Sequence, residues 1–248
     1  MKILMSNLGY LRGISGSLKH HILFAHRHFY CSTTVQEKMW RQLTEIIRRE
    51  RPDLCCFVEI EQAVFHEENF CVIKDIVGES YPFFDIENKY LPASRLRSFP
   101  LTQGKSNAFM AKHQFPHSKL HFSSGTKRLI YKIQLAPELT LFFSHFSLNR
   151  KTRAQQLLEV HKLVNDTPGE VIFMGDFNIL KGFSELSSLL KDGDLVLLND
   201  NQPTFTFHIF KRVLDICLCT KDISEKCRLQ IIPQPYSDHS ALLLEVDM

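Results

Sequence analysis

The run Val171-Ile172-Phe173-Met174 leads straight into Gly175-Asp176-Phe177-Asn178. Four consecutive apolar residues read as a strand buried on both faces. A carboxylate and a carboxamide then follow at its end. The pattern recurs along the chain. Lys2 to Ser6 reads as a short strand ending at Asn7, and Leu54 to Val58 as one ending at Glu59. Leu139 to Phe146 carries His145 near its end. Val213 to Cys219 has Asp215 near its start, and "YSDHS" with Asp238 and His239 precedes the strand Ala241 to Val246. Strand ends at one edge of stacked sheets can converge in space while lying far apart in sequence.

The rest of the pattern suits that arrangement. Met39, Trp40, Leu43, Ile46 and Ile47 repeat at helical spacing within Gln36 to Glu50, and Pro52 stops the helix. Arg153 to Val164 reads as a second helix. Leu129 to Leu135 and Leu139 to Phe146 flank the turn "APE" as a hairpin. Residues 78–106 carry Gly, Pro, Ser and charges and read as long loops, with a short strand at Ala108 to Ala111. Helices and hairpins mix without strict alternation, which indicates an α+β class with sheets inside and helices outside.

Composition excludes some functions. A net charge of +3 is too small to imply nucleic-acid binding by itself. The seven cysteines form no C-x-x-C pair and read as reduced, mostly buried thiols. The N-terminal apolar run is too short for a signal segment, and no run approaches the ~20 residues of a membrane span. The expectation is a cytoplasmic monomer.

The strand-end residues carry the chemistry. Asn7, Glu59, His145, Asp176, Asn178, Asp215, Asp238 and His239 would line one cleft. Carboxylates brought that close repel one another and demand a cation. Their oxygen atoms suit a hard ion such as Mg²⁺ or Mn²⁺. Histidines can carry protons near neutral pH. Together they fit metal-assisted attack of water on a phosphate ester.

These motifs, "SNLGY", "FVEIE", "SNAFMAK", "SHFSLNRKTRAQQ", "MGDFN", "LDICL" and "SDHSAL", follow one another in an order that resembles the endonuclease/exonuclease/phosphatase superfamily. The resemblance spans residues 3–246. It implies a four-layer α/β-sandwich of two packed mixed β-sheets flanked by helices, forming a single catalytic domain over residues 1–248. It also implies site roles. Glu59 would be the metal ligand, assisted by Asn7 and Asp238. His239, held by Asp215, would activate water or manage a phosphoryl oxygen. Asp176 and Asn178 would orient the nucleophile and the scissile phosphate. His145 would contact a phosphate oxygen or act as general acid; no motif locates its carboxylate partner, for which Glu87 is a candidate outside the resemblance. Asn107, Arg150 and Arg153 would meet substrate. The sequence departs from the family in having Val58 where glutamine usually precedes the glutamate.

Blander readings stand beside these. "GDFN" alone is a turn, and Asn7 alone an Asx turn. Asp215 could pair with Arg212. The basic stretches at residues 95–97 and 149–153 are either solvated or meet phosphate. "KHHILFAHRHFY", residues 19–30, lacks the spacing of a metal site and reads as an exposed, partly aromatic segment that docks a substrate or a membrane surface. The substrate expected is nucleic acid, with a small or lipid phosphoester, or phosphate binding without catalysis, as the alternatives.

Overall fold

The computed structural model of the chain describes residues 1–28, 31–61, 80–99, 102–191 and 193–248. Two six-stranded sheets form its centre. The first runs β13-β14-β1-β2-β4-β3, from β1 (Lys2–Asn7), β2 (Leu54–Glu61), β3 (Phe83–Asn88), β4 (Lys105–Ala111), β13 (Cys227–Ile232) and β14 (Ala241–Val246). The second runs β5-β6-β7-β8-β12-β9, from β5 (His117–His121), β6 (Leu129–Ala136), β7 (Leu139–His145), β8 (Glu170–Asp176), β9 (Leu195–Leu197) and β12 (Asp215–Thr220). A small hairpin, β10 (Phe205–Phe207) and β11 (Phe210–Arg212), stands apart from both.

Three apolar layers hold the sheets and helices together. Ile3, Met5, Cys56 and Val58 of the first sheet meet Tyr131, Ile133, Phe143 and Met174 of the second. Leu4 and Phe57 point the other way, onto Trp40, Leu43 and Ile47 of helix α2 (Thr33–Glu50). Phe142, Phe173 and Ile216 do the same on the far side, onto Leu157, Val160 and Val164 of helix α3 (Arg150–Asn165). The order helix, sheet, sheet, helix explains why the central strands read as unbroken apolar runs: each is covered on both faces. A short helix, α1 (Leu18–Leu23), precedes α2 and buries none of its residues.

The helices extend beyond the expected bounds. Helix α2 begins at Thr33 and ends where Arg51 turns left-handed at φ 51°, ahead of Pro52. Helix α3 begins at Arg150 because the Asn149 side chain accepts from Thr152 N at 3.1 Å and caps it. Residues 78–106 are not all loop. Within them β3 pairs antiparallel with β4 along its whole length, Phe83 opposite Ala111 through Asn88 opposite Ser106. It is an edge strand with acids at Asp85 and Glu87, so it lacks an unbroken apolar run. The cysteines among the described residues are free thiols, as expected. Cys71 lies outside the described residues.

Strand direction sets the position of the polar ends. β1 runs parallel to β2, and β7 parallel to β8. Asn7 and Val58 are therefore register partners, as are His145 and Asp176. β12 runs antiparallel to β8 and starts with Asp215 opposite Asp176. The expected edge of converging polar residues is thus built by backbone register.

Gly175 serves this register rather than a bend. It lies opposite Ser144 in the parallel β7/β8 pair, and a Cβ there would sit 2.0 Å from the Ser144 carbonyl oxygen. Gly175→Ala should therefore lower stability by about 3 kcal/mol, read by chemical denaturation. A loss under ~1 kcal/mol would mean the strands part freely.

Candidate active site

Asp176 is the hub. It is almost wholly buried at the end of β8. Its Oδ1 accepts from Asn178 N at 3.1 Å, which closes an Asx turn. Its Oδ2 accepts from Asn7 Nδ2 at 3.0 Å and lies 3.3 Å from His145 Nε2. "GDFN" is therefore both things the sequence allowed: a turn that fixes its own backbone, and a carboxylate oxygen aimed into a cluster. Asn178 is held at φ 52°, and its Nδ2 donates to Phe146 O at 3.0 Å. That side chain braces the end of β7.

His239 reaches the same place from the loop before β14. Its Nδ1 lies 2.8 Å from Asp215 Oδ2, and its Nε2 lies 3.5 Å from Asn7 Nδ2. Asp215 is fully buried and belongs to His239, not to Arg212, which is exposed on β11. Two residues unmarked by any motif lock the Asp215 backbone. Thr204 Oγ1 accepts from Leu214 N and Asp215 N, each at 2.9 Å, and Asn199 Nδ2 donates to Asp215 O at 3.0 Å. Gln234 ties the His239 loop to the end of β1. Its Nε2 donates to His239 O at 3.0 Å, and its Oε1 accepts from Ser6 Oγ at 2.5 Å.

Glu59 sits where β2 departs from regular pairing. The register with β4 shifts between Phe57 and Ile60, and Glu59 takes φ 56°. This bulge turns the carboxylate out of the strand's alternation. Three groups face its Oε1: Lys89 Nζ at 3.8 Å, Lys127 Nζ at 3.8 Å and His145 Nδ1 at 3.7 Å. Lys127 also hydrogen-bonds His145 Nε2, and Lys89 hydrogen-bonds the Tyr10 hydroxyl.

The charges follow from burial. Burial drives Asp176 up, to about 6, and the Asp215 and Glu59 carboxylates add to it against the pull of His239 and Lys127. Burial opposes charge on His239, but Asp215 and Asp176 outweigh it and hold the imidazole proton up to about 10. His145 goes the other way. Burial, with Lys127 and Lys89 beside it, drives its pKa well below the usual value, so it is neutral. Burial would raise Glu59, but Lys89 and Lys127 bring it below the ordinary carboxylate range. Lys89 is lowered to about 7 by burial.

Several expected site residues sit differently from their assignments. Asn7 turns its amide nitrogen, not its oxygen, toward Asp176 and His239, while its Oδ1 accepts from Gly9 N at 3.0 Å. It acts there as a hydrogen-bond donor. Arg153 is buried: Nε and Nη2 bond Glu185, and Nη1 bonds Ser147 O and Leu148 O. Its guanidinium is committed to the fold and not to substrate. Arg150 is exposed at the start of α3. Asn107 is buried on β4 with its Oδ1 unpartnered. Asp238 is half-buried beside His239, and burial raises its carboxyl. Glu87 does not partner His145. It pairs with Arg97 at 2.6 Å and Lys119 at 3.3 Å, which also occupies part of the 95–97 basic stretch.

The donor set fits a hard divalent ion. Four carboxylates, Glu59, Asp176, Asp215 and Asp238, act on one another here, and Asp215 Oδ1 is buried with no partner. Asp176, Asp215 and His239 each bring one ligand-capable atom within 4.8 Å of the others. Because His239 Nδ1 is already engaged by Asp215, that trio is better suited to handling a proton than to enclosing an ion. Oxygen donors short of positive charge are what such an ion requires.

The model of the Endonuclease/Exonuclease/phosphatase family matches residues 39–239. No curated protein matches the chain. Among solved structures, a D. rerio TDP2 humanized by 14 mutations is similar at TM-score 0.69 and 15% identity, covering 100% of this chain and 99% of that one. An endonuclease/exonuclease/phosphatase family protein from Leptotrichia buccalis gives 0.68 and 17%, covering 100% of both chains. D. rerio TDP2 complexed with single strand DNA product gives 0.66 and 14%, covering 100% and 99%. At these identities the likeness is one of fold.

The Asp215–His239 pair has a testable signature. The folded chain holds the His239 proton to about 10 against an ordinary 6.5. Its contribution to stability is complete below pH 6.5 and is lost as pH rises through 10. The stability gap between metal-free wild type and His239→Gln should therefore be widest near pH 6. It should narrow by roughly 2 kcal/mol or more toward pH 9. A gap that widens with pH would contradict the pairing.

Proposed function

The chain belongs to the Endonuclease/Exonuclease/phosphatase family and is a metal-dependent hydrolase of phosphate esters; from that premise we propose that it cleaves a phosphodiester by attack of water at Asp176. The observation that carries this reading is the meeting of Asp176 with the Asp215–His239 pair across Asn7, 3.0 Å and 3.5 Å from its amide nitrogen. The two groups are pushed in opposite directions, Asp176 to about 6 and His239 to about 10. Near neutral pH the carboxylate is charged and the imidazole is protonated. Such separation assigns acid and base roles. Asp176 accepts the proton of the attacking water, while His239 offers Nε2–H to a phosphoryl oxygen. Asn7 donates to Asp176 and so holds its carboxylate oxygen in place, while the Asn7 oxygen is itself held by Gly9 N.

Glu59 and Asp238 would hold Mg²⁺ or Mn²⁺, whose charge would neutralise a phosphoryl oxygen. Lys127 adds a fixed ammonium beside His145 and Glu59. A neutral His145 pressed against Lys127 is poorly suited to be the general acid, so Lys127 takes over the phosphate contact first assigned to that histidine. Lys89, Lys105 and Arg12, grouped around the Tyr10 ring, extend the positive charge beside Glu59. The whole chain serves as one catalytic unit, since residues from both sheets build the site.

Nucleic acid is the first substrate reading. D. rerio TDP2, of the same fold, is described in complex with single strand DNA product, and phosphate-tracking lysines suit such a strand. A lipid phosphoester is the second reading, favoured by the exposed apolar side chains of the hairpin whose Phe205 packs on His239.

Turnover of single-stranded DNA with Mg²⁺ or Mn²⁺, and its loss on chelation, tests the assignment. His239→Ala should cut kcat by about 10²–10⁴ with the fold intact, and retention of full activity would remove His239 from the mechanism. Glu59→Gln should weaken divalent-ion affinity in a calorimetric titration, measured without substrate. An unchanged isotherm would take Glu59 out of the ligand set.

A further inference from the structure

Two segments beside the site expose apolar side chains that no packing explains. In α1 and the residue before it, the Ser17 side chain accepts from His20 N at 3.2 Å, and this cap fixes a short helix with Leu18, Ile22 and Leu23 outside. Ile22 is 67% and Leu23 65% exposed. In the β10/β11 hairpin the turn residue Ile209 is 73% and Phe210 54% exposed. The segments are joined. Gly16 O accepts from His208 N at 2.6 Å, and the His21 and Phe207 rings meet edge-on at 4.6 Å. A side chain at Gly16 would strike the Thr206 carbonyl at 2.0 Å, so the junction needs glycine.

Charge marks the same surface. The first acid in the chain is Glu37, and none lies between Asp200 and Asp215. The two segments instead carry Lys19, and Lys211 and Arg212. Lys19, Lys211 and Arg212 are exposed. The hairpin also touches the site. Thr206 N donates to Asp238 O at 2.9 Å, and the Phe205 ring packs on His239 with centroids 5.0 Å apart.

Aliphatic tips on segments that carry exposed cations and no acid of their own match an anionic lipid bilayer: the tips enter the acyl boundary while the ammonium and guanidinium groups meet headgroup phosphates. A protein partner would leave these cations to be matched one by one, and a nucleic acid would leave Ile22, Leu23 and Ile209 without a flat base to stack on. We propose that α1 and the β10/β11 hairpin form a single membrane-docking surface for anionic phospholipid, which sets the His239 edge of the site against the headgroups. The part of the 19–30 segment formed by the His28 side chain, Phe29 and Tyr30 lies outside the described residues and carries none of this.

Docking is independent of hydrolysis, so it is measured with chelator present. Vesicles of phosphatidylcholine alone and vesicles with about one third phosphatidylglycerol are sedimented with the protein at low salt. Wild type should partition onto the anionic vesicles and not the neutral ones, and release as salt rises. Ile209→Asp and Phe210→Asp should each weaken partition about tenfold, and Lys211→Glu with Arg212→Glu should abolish the preference for anionic lipid. Leu158→Asp, on the exposed side of α3, should bind like wild type. Absence of wild-type partition, equal partition onto neutral vesicles, or tip variants that bind unchanged would each overturn the proposal. So would tip variants that instead lose affinity for a single-stranded oligonucleotide. A positive result with no DNA cleavage would retire the nucleic-acid reading and keep the docking surface.

Discussion

Two parallel strand pairings govern everything that follows in this molecule. β1 beside β2, and β7 beside β8, bring strand ends to a common edge in each sheet. Because the sheets pack face to face through one apolar layer, those two edges adjoin. Asn7, His145 and Asp176 are delivered there by register, and Glu59 by the bulge that follows Val58. The antiparallel strands β12 and β14 then add Asp215 at a strand start and His239 just before one. Polar groups at this edge cost no apolar contact within the strands, so the core and the site are compatible.

Within that frame, hydrogen bonds with no catalytic duty determine how accurately the groups meet. Gln234 joins the His239 loop to β1, and Thr204 and Asn199 grip the backbone of Asp215. Each replaces solvent at a buried polar group, which would otherwise be costly to leave unpaired. The bulge at Glu59 performs the same service by geometry.

Much of this was legible in the residues. The central strands announce themselves because both of their faces are buried. The strand-end acids and histidines stand in a recognisable order, and the structure collects them. The edge strands β3 and β5 did not announce themselves, since polar residues take the place of the continuous apolar runs that mark the central strands. Lys89 and Lys127 were missed for a different reason: a lysine is ordinarily exposed, and nothing local shows that two will be drawn inward by Glu59. The diversion of Arg153 to Glu185, 32 residues away, is likewise a tertiary fact. So is the pairing of α1 with a hairpin nearly two hundred residues further on, which turns an odd histidine-rich stretch into half of a surface.

Lys89 and Lys127 beside Glu59, with His239 charged between Asp215 and Asp176, offset part of the crowded negative charge with the chain's own side chains. Some metalloproteins collapse without their ion because nothing else offsets the crowded acids. Here some of that offset is built into the fold itself, so the crowded acids lean less on an outside charge.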